Sequence, residues 1–101
     1  MLGKIVLYAP YNANKERVNK LDIIANKLAK EIGLTYEGPI YRNDTRICIY
    51  YEDRKVKVYI YIDDFTRDVN FDKVENTLRL MSLIAFRESF NRKIKVENSI
   101  L

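Results

Sequence analysis

Thr45-Arg46-Ile47-Cys48-Ile49-Tyr50-Tyr51-Glu52-Asp53-Arg54-Lys55-Val56-Lys57-Val58-Tyr59-Ile60-Tyr61-Ile62-Asp63 carries two period-two alternations back to back. In residues 55–63 the even positions are Val56, Val58, Ile60 and Ile62, all β-branched aliphatics. The odd positions are Lys55, Lys57, Tyr59, Tyr61 and Asp63. Successive side chains of a strand point to opposite faces, so this spacing predicts one face in a core and one outside it. Residues 45–51 repeat the pattern with Ile47, Ile49 and Tyr51 inward. A loop centred on Asp53-Arg54 predicts Tyr51 opposite Val56, Ile49 opposite Val58 and Ile47 opposite Ile60 on the buried side. On the other side it predicts Tyr50 opposite Lys57, Cys48 opposite Tyr59 and Arg46 opposite Tyr61. A slip of one residue would set core side chains against solvent, so the register is strongly specified. Asp-Arg lacks the glycine of a two-residue type I′ turn, which favours a four-residue loop, Glu52 to Lys55.

The surrounding chain supplies the remaining elements. Lys4-Ile5-Val6-Leu7-Tyr8-Ala9 reads as a strand ended by Pro10, which cannot donate to a ladder. Asn12 and Asn14 are candidate N-caps for a helix running to about Ile32. Its apolar residues, Val18, Leu21, Ile24, Ala25, Leu28, Ala29 and Ile32, recur at three and four residues and form one stripe. Gly33 stands where a left-handed C′ residue closes a helix, with Leu34 placed to pack back onto the last turn. Thr35 to Asp44, containing Gly38-Pro39, reads as a connection. A second helix is predicted from about Phe71 to Asn91, capped by Asp68 or Asn70, with Val74, Leu78, Met81 and Ala85 in one stripe. Leu80, Leu83, Ile84 and Phe86 widen that stripe beyond the needs of one sheet face. Lys93-Ile94-Lys95-Val96-Glu97 alternates again and predicts a short edge strand.

Strand, helix, strand, strand, helix, strand is the order of a split βαβ sandwich. The expectation is therefore a single α+β domain over residues 1–101, ferredoxin-like (βαββαβ), with a four-stranded antiparallel sheet and two helices on one face. The first and third strands would be central.

Composition narrows the chemistry. The chain has 101 residues, is 48% hydrophobic and 32% charged, and carries a formal net charge of +4. The basic balance modestly favours a polyanionic partner. With no histidine, one cysteine and three isolated glycines, it lacks imidazole bases, His or Cys-rich metal sites and phosphate loops. Only carboxylate, lysine or tyrosine chemistry stays open, and no cofactor is implied. No stretch has the length of a membrane span. Met1-Leu2-Gly3-Lys4 leads straight into a strand rather than a secretory leader, and the lone cysteine suits a reducing compartment. Both predict a cytoplasmic protein.

Four groups of residues are candidates for function. The first is the open sheet face, where Tyr8, Tyr50, Tyr59 and Tyr61 would stack bases while Lys4, Arg46 and Lys57 take phosphates. In this, the architecture resembles RNA recognition modules, which bind single strands across such a sheet. Their third-strand signature would fall on Lys55-Val56-Lys57-Val58-Tyr59, where both of its glycines are absent. Tyrosine also fills exposed strand positions for packing reasons alone, and the same face suits a homodimer. The second group is Asp63, Asp64, Asp68 and Asp72, which suit Mg²⁺-assisted phosphodiester chemistry or, more simply, capping and turns. The small ferredoxin-like nucleases of CRISPR adaptation share this size and element order. They place an aspartate at the end of the first strand, where this chain has Tyr8-Ala9-Pro10. The third is Cys48, expected to be an apolar filler. The fourth is the junction Tyr8-Ala9-Pro10-Tyr11-Asn12, with Lys15 and Arg17 nearby, where a helix N-terminus can receive an anion.

Together these features predict a small basic non-enzymatic protein that self-associates and binds single-stranded RNA or DNA on an open Tyr/Lys sheet face. The alternatives are a homodimeric interaction module without nucleic-acid binding and, third, a metal-dependent nuclease.

Overall fold

The computed structural model describes residues 3–54, 56–63 and 71–100, with side chains in the last segment described for 71–85 and Arg87. The chain is α+β: strand β1 (Lys4–Pro10), helix α1 (Lys15–Glu31), strands β2 (Thr35–Arg42), β3 (Cys48–Glu52) and β4 (Lys57–Ile62), and helix α2 (Phe71–Ile100). The strands form one mixed sheet in the order β2-β1-β3-β4. β1 runs parallel to β2 and antiparallel to β3, and β4 is antiparallel to β3.

This topology departs from the expected antiparallel βαββαβ sandwich at two places. Thr35–Arg42 is a strand, joined to β1 by the helical crossover that a parallel pair requires. Gly38-Pro39, read as part of a connection, is a cis peptide unit inside it. An edge strand tolerates a residue without an N–H, and the ladder takes up the extra residue as a bulge: Val6 pairs with Glu37, then Tyr8 with Ile40. A side chain at position 38 would bring its Cβ within 2.8 Å of the Tyr36 hydroxyl and 3.0 Å of Leu7 Cβ, so glycine fits the close approach. The other departure is at 93–97, where the expected edge strand is instead part of α2. No Gly or Pro interrupts residues 71–100, and the helix runs through the short alternation for about 45 Å.

Helix α1 follows its sequence signals closely. The Asn14 side chain accepts from the Arg17 N–H at 3.0 Å. At the other end Gly33 takes φ 79°, its N–H meets Lys30 O at 3.3 Å, and Leu34 N–H meets Ala29 O at 2.8 Å. That double bond pattern closes the helix as a Schellman motif. The buried stripe Val18, Leu21, Ala25, Leu28 and Ala29 lies on β1 and β2, while α2 lies on β4 and β3 with Val74, Leu78 and Ala85 inward. Ile5, Leu7, Ala9, Ile47, Ile49, Tyr51 and Ile60 complete the core from the sheet. The Tyr36 hydroxyl donates to Asp22, tying β2 to α1, and burial with that bond holds its phenol far above its ordinary pKa. Both helices cover the same sheet face, and among the described residues no element packs on the other.

The hairpin forms with a register two residues from the expected one. Glu52 pairs with Lys57, Tyr51 with Val58 and Tyr50 with Tyr59. The loop is Asp53 to Val56: the Asp53 N–H meets Val56 O at 2.9 Å, and its carboxylate accepts from Val56 N–H at 2.8 Å. A slip of two keeps every side chain on its expected face. A bulge then intervenes, because Ile49 pairs with Tyr61 and Cys48 with Ile62. Past it the facing of β4 inverts. Tyr61 packs against the core and Ile62 points out with Cys48. The expectation that residues 55–63 would be a central strand is not met: the central strands are β1 and β3, buried almost throughout, whereas β4 forms an edge, because β2 takes the place beside β1.

Candidate functional site

The open face is organised around Tyr50, which sits mid-sheet on β3 and is only 6% exposed. Tyr8 from β1 meets it edge to face, with centroids 5.4 Å apart and planes at 84°. Tyr59, directly opposite on β4, overlaps it at 4.3 Å with a 35° tilt. The edge-to-face pair has the geometry that aromatic rings prefer. The three rings form a ladder across the sheet, and its outer end is free: Tyr59 is 53% exposed.

Cations frame the ladder. The Arg42 guanidinium lies 3.9 Å from the Tyr8 centroid and 5.8 Å from that of Tyr50. The Lys57 ammonium lies 5.3 Å from Tyr8 and 4.9 Å from Tyr50. At these distances the ring quadrupole attracts the cation. Carboxylates partly balance this charge. Glu52 accepts from Tyr8 Oη at 3.2 Å and pairs with Lys57 at 3.1 Å and Lys4 at 4.0 Å. Lys4 also meets Glu37 at 2.7 Å, a bond that raises its pKa, and Arg42 meets Asp44 at 2.9 Å. A hydrogen bond with Tyr50 likewise raises the Tyr59 phenol.

Of the residues expected to bind, Lys4, Tyr8, Tyr50, Lys57 and Tyr59 are brought together on this face. Arg46 is exposed just before β3, close enough to influence the Cys48 thiol. Tyr61 is elsewhere: the bulge turns it to the helix side, where its hydroxyl donates to Asp63 at 3.3 Å. Arg42 is the residue that sequence reasoning missed, because its strand was hidden by Gly38-Pro39. The short alternation Ile40-Tyr41-Arg42 was the available signal.

The other candidate groups have structural occupations. Asp63 is fully buried, its carboxylate bound by the Arg17 guanidinium and the Tyr61 hydroxyl, and its N–H bonded to Ile47 O at 2.9 Å. Asp72 is exposed in the first turn of α2. Asp64, Asp68 and the proposed cap Asn70 lie outside the described residues. Among the described residues no three acidic, cysteine or histidine groups cluster as metal ligands. Cys48 is buried, which pushes its thiol up, and its Sγ lies 3.5 Å from Arg46 O. At the β1–α1 junction, Asn14 already occupies the Arg17 N–H, and Ala13 N–H bonds Pro10 O at 3.2 Å. Among the described residues no helix is long and apolar enough to cross a membrane. The chain matches no protein-family model, no curated protein and no solved structure.

Proposed function

We propose that the open sheet face binds single-stranded nucleic acid, with Tyr59 as the stacking platform and Lys57, Lys4, Arg42 and Arg46 as the phosphate contacts. The observation that carries this is the exposed outer ring of a three-tyrosine ladder with a lysine and an arginine at its side. Tyr8 and Tyr50 act behind it: each already has a ring or a cation against its face, so they hold Tyr59 and the cations in position rather than receive bases themselves. Stacking one base on an aromatic side chain is worth about 1–3 kcal/mol. Every base offers a π-face, so recognition of this kind is tolerant of sequence.

Fluorescence anisotropy with labelled single strands tests the assignment. Tyr59→Ala should weaken binding by about 5- to 150-fold, while Tyr61→Phe, on the opposite face, should leave it unchanged. Equal affinity for wild type and a folded Tyr59→Ala protein would discard the site. A second expectation follows from Glu52, whose carboxylate sits between Lys4 and Lys57. Glu52→Gln should bind single strands several-fold more tightly and show a steeper loss of affinity with salt, because Lys57, paired with Glu52 at 3.1 Å, is released to phosphate. Weaker binding in that variant would count against the lysines as phosphate contacts.

Self-association belongs to the same reading. One observation favours it specifically: Ile62, on the open face beside Tyr59, is 44% exposed, and Leu80, Leu83 and Ile84 are exposed along α2. A dimer that bound no oligonucleotide at low salt would establish the interaction-module alternative.

A further inference from the structure

The sheet has two edges, and they differ. On β2 the Gly38-Pro39 bulge interrupts the ladder, and a proline offers no outward N–H. β4 has no such device: Lys57-Val58-Tyr59-Ile60-Tyr61-Ile62 contains neither Gly nor Pro, and two exposed apolar side chains, Tyr59 and Ile62, lie along it. Antiparallel ladders alternate between residues that bond inward and residues that bond outward. The bonds Asp53 N–H to Val56 O and Asp63 N–H to Ile47 O anchor that alternation at the two ends of the β3–β4 ladder. Positions 56, 58, 61 and 63 therefore bond toward β3, and Lys57, Tyr59 and Ile62 turn their backbone groups away from it, to a side where no described strand pairs with them.

The geometry points to a second copy of this chain as the occupant of that edge, paired β4 to β4 in antiparallel sense with Tyr59 opposite the partner's Ile62. The inference gives the surface for the self-association proposed above and rests on that part of the reading. Three features favour a twin over another strand. First, this register is self-complementary. Tyr59 and Ile62 both bond outward and both lie on the open face, while Ile60 and Tyr61 both lie on the core side, so the bulge of one copy matches the bulge of the other. Second, the pairing brings each exposed Ile62 beside the partner's Tyr59, which a register setting Lys57 against Tyr59 would not do. Third, α2 lies over β4 and β3. With strands about 4.8 Å apart, a two-fold axis at the β4 edge sets the two α2 helices about 10 Å from each other, the distance of packed helices. Glu75 and Arg79 mark the flank of α2 turned to α1, through Lys27 and Glu31. Ile84 follows Glu75 by nine residues, about half a turn round the helix, so it stands on the flank turned to the seam, with Leu80 beside it. The pair would be one continuous sheet with four helices on one side and both tyrosine faces side by side on the other.

Sedimentation equilibrium of the full chain tests this. Wild type should be a concentration-dependent dimer. Ile62→Lys, which places a charge at the seam, and Ile62→Pro, which removes an outward donor while sparing the bonds to β3, should both be monomers with wild-type circular dichroism. Ile84→Glu should weaken the dimer at least tenfold. A wild-type chain that stays monomeric at every concentration overturns the proposal, as does a dimer that survives both Ile62 variants. Oligonucleotide binding is read separately by anisotropy: a monomeric Ile62→Lys protein that still binds single strands leaves the site on the open face intact, whereas a dimer that binds none removes that site and not the seam.

Discussion

Arg17→Met should destabilise the fold by about 3–5 kcal/mol, the largest effect expected of any single substitution here. Asp63 is fully buried at the end of β4, and the Arg17 side chain that neutralises it is only 15% exposed. Methionine keeps most of the arginine's apolar stem but removes the guanidinium that meets this buried carboxylate, to which the Tyr61 hydroxyl also donates. The cost of that desolvated charge dominates, not the loss of the attraction itself. Urea denaturation measures it as a drop in midpoint. A second substitution should act in the opposite direction. Adding Asp63→Leu to Arg17→Met should recover most of the lost stability, because a buried ion pair and a packed apolar pair are often nearly equivalent. If the double variant were as unstable as the single one, the buried charge would not be the cause.

Tyr50→Ala should cost about 3 kcal/mol and abolish oligonucleotide binding together. Its ring is packed between Tyr8 and Tyr59 and lies within reach of both Arg42 and Lys57, so truncation opens a cavity on the open face and frees four neighbours at once. Tyr50→Phe separates the two consequences. It retains the stack and removes only the hydroxyl that meets Arg42 and Tyr59. That variant should lose about 1 kcal/mol of stability and keep most of its affinity. Thermal melts beside anisotropy on the same samples decide the matter. A Phe variant that lost all binding would show that the hydroxyl network, rather than the aromatic surface, carries recognition.

How far the molecule could be read from its chain differs from element to element. Helix α1 was legible to its last residue because its signals are local: Asn14 caps, Gly33 adopts a left-handed conformation, and Leu34 packs back. The hairpin was legible in its facing, since period two is a property of the strand itself, and with the same alternation in β1 this brought Lys4, Tyr8, Tyr50, Lys57 and Tyr59 to one surface. Its register was not, because the Asp53 side chain closes a loop displaced from the one that symmetry of the pattern suggested. The bulge before Tyr61 had no local marker at all, and it moved a residue assigned to the open face into the core. β2 stayed hidden for the reverse reason. Gly38-Pro39 is a strong breaker signal, overruled because an edge strand needs only one side of its ladder. The alternation at 93–97 shows the limit of a five-residue pattern against thirty residues of uninterrupted helix.

The kink at Gly38-Pro39 bears on how large any assembly grows. Sheets that offer a receptive border on both sides extend without end into ribbons, whereas a molecule with a single receptive border is satisfied by one twin. Two copies joined through β4 would turn only their β2 borders outward, each interrupted where a proline has no proton to give. Growth would halt there, and the particle would close as a pair instead of a fibre.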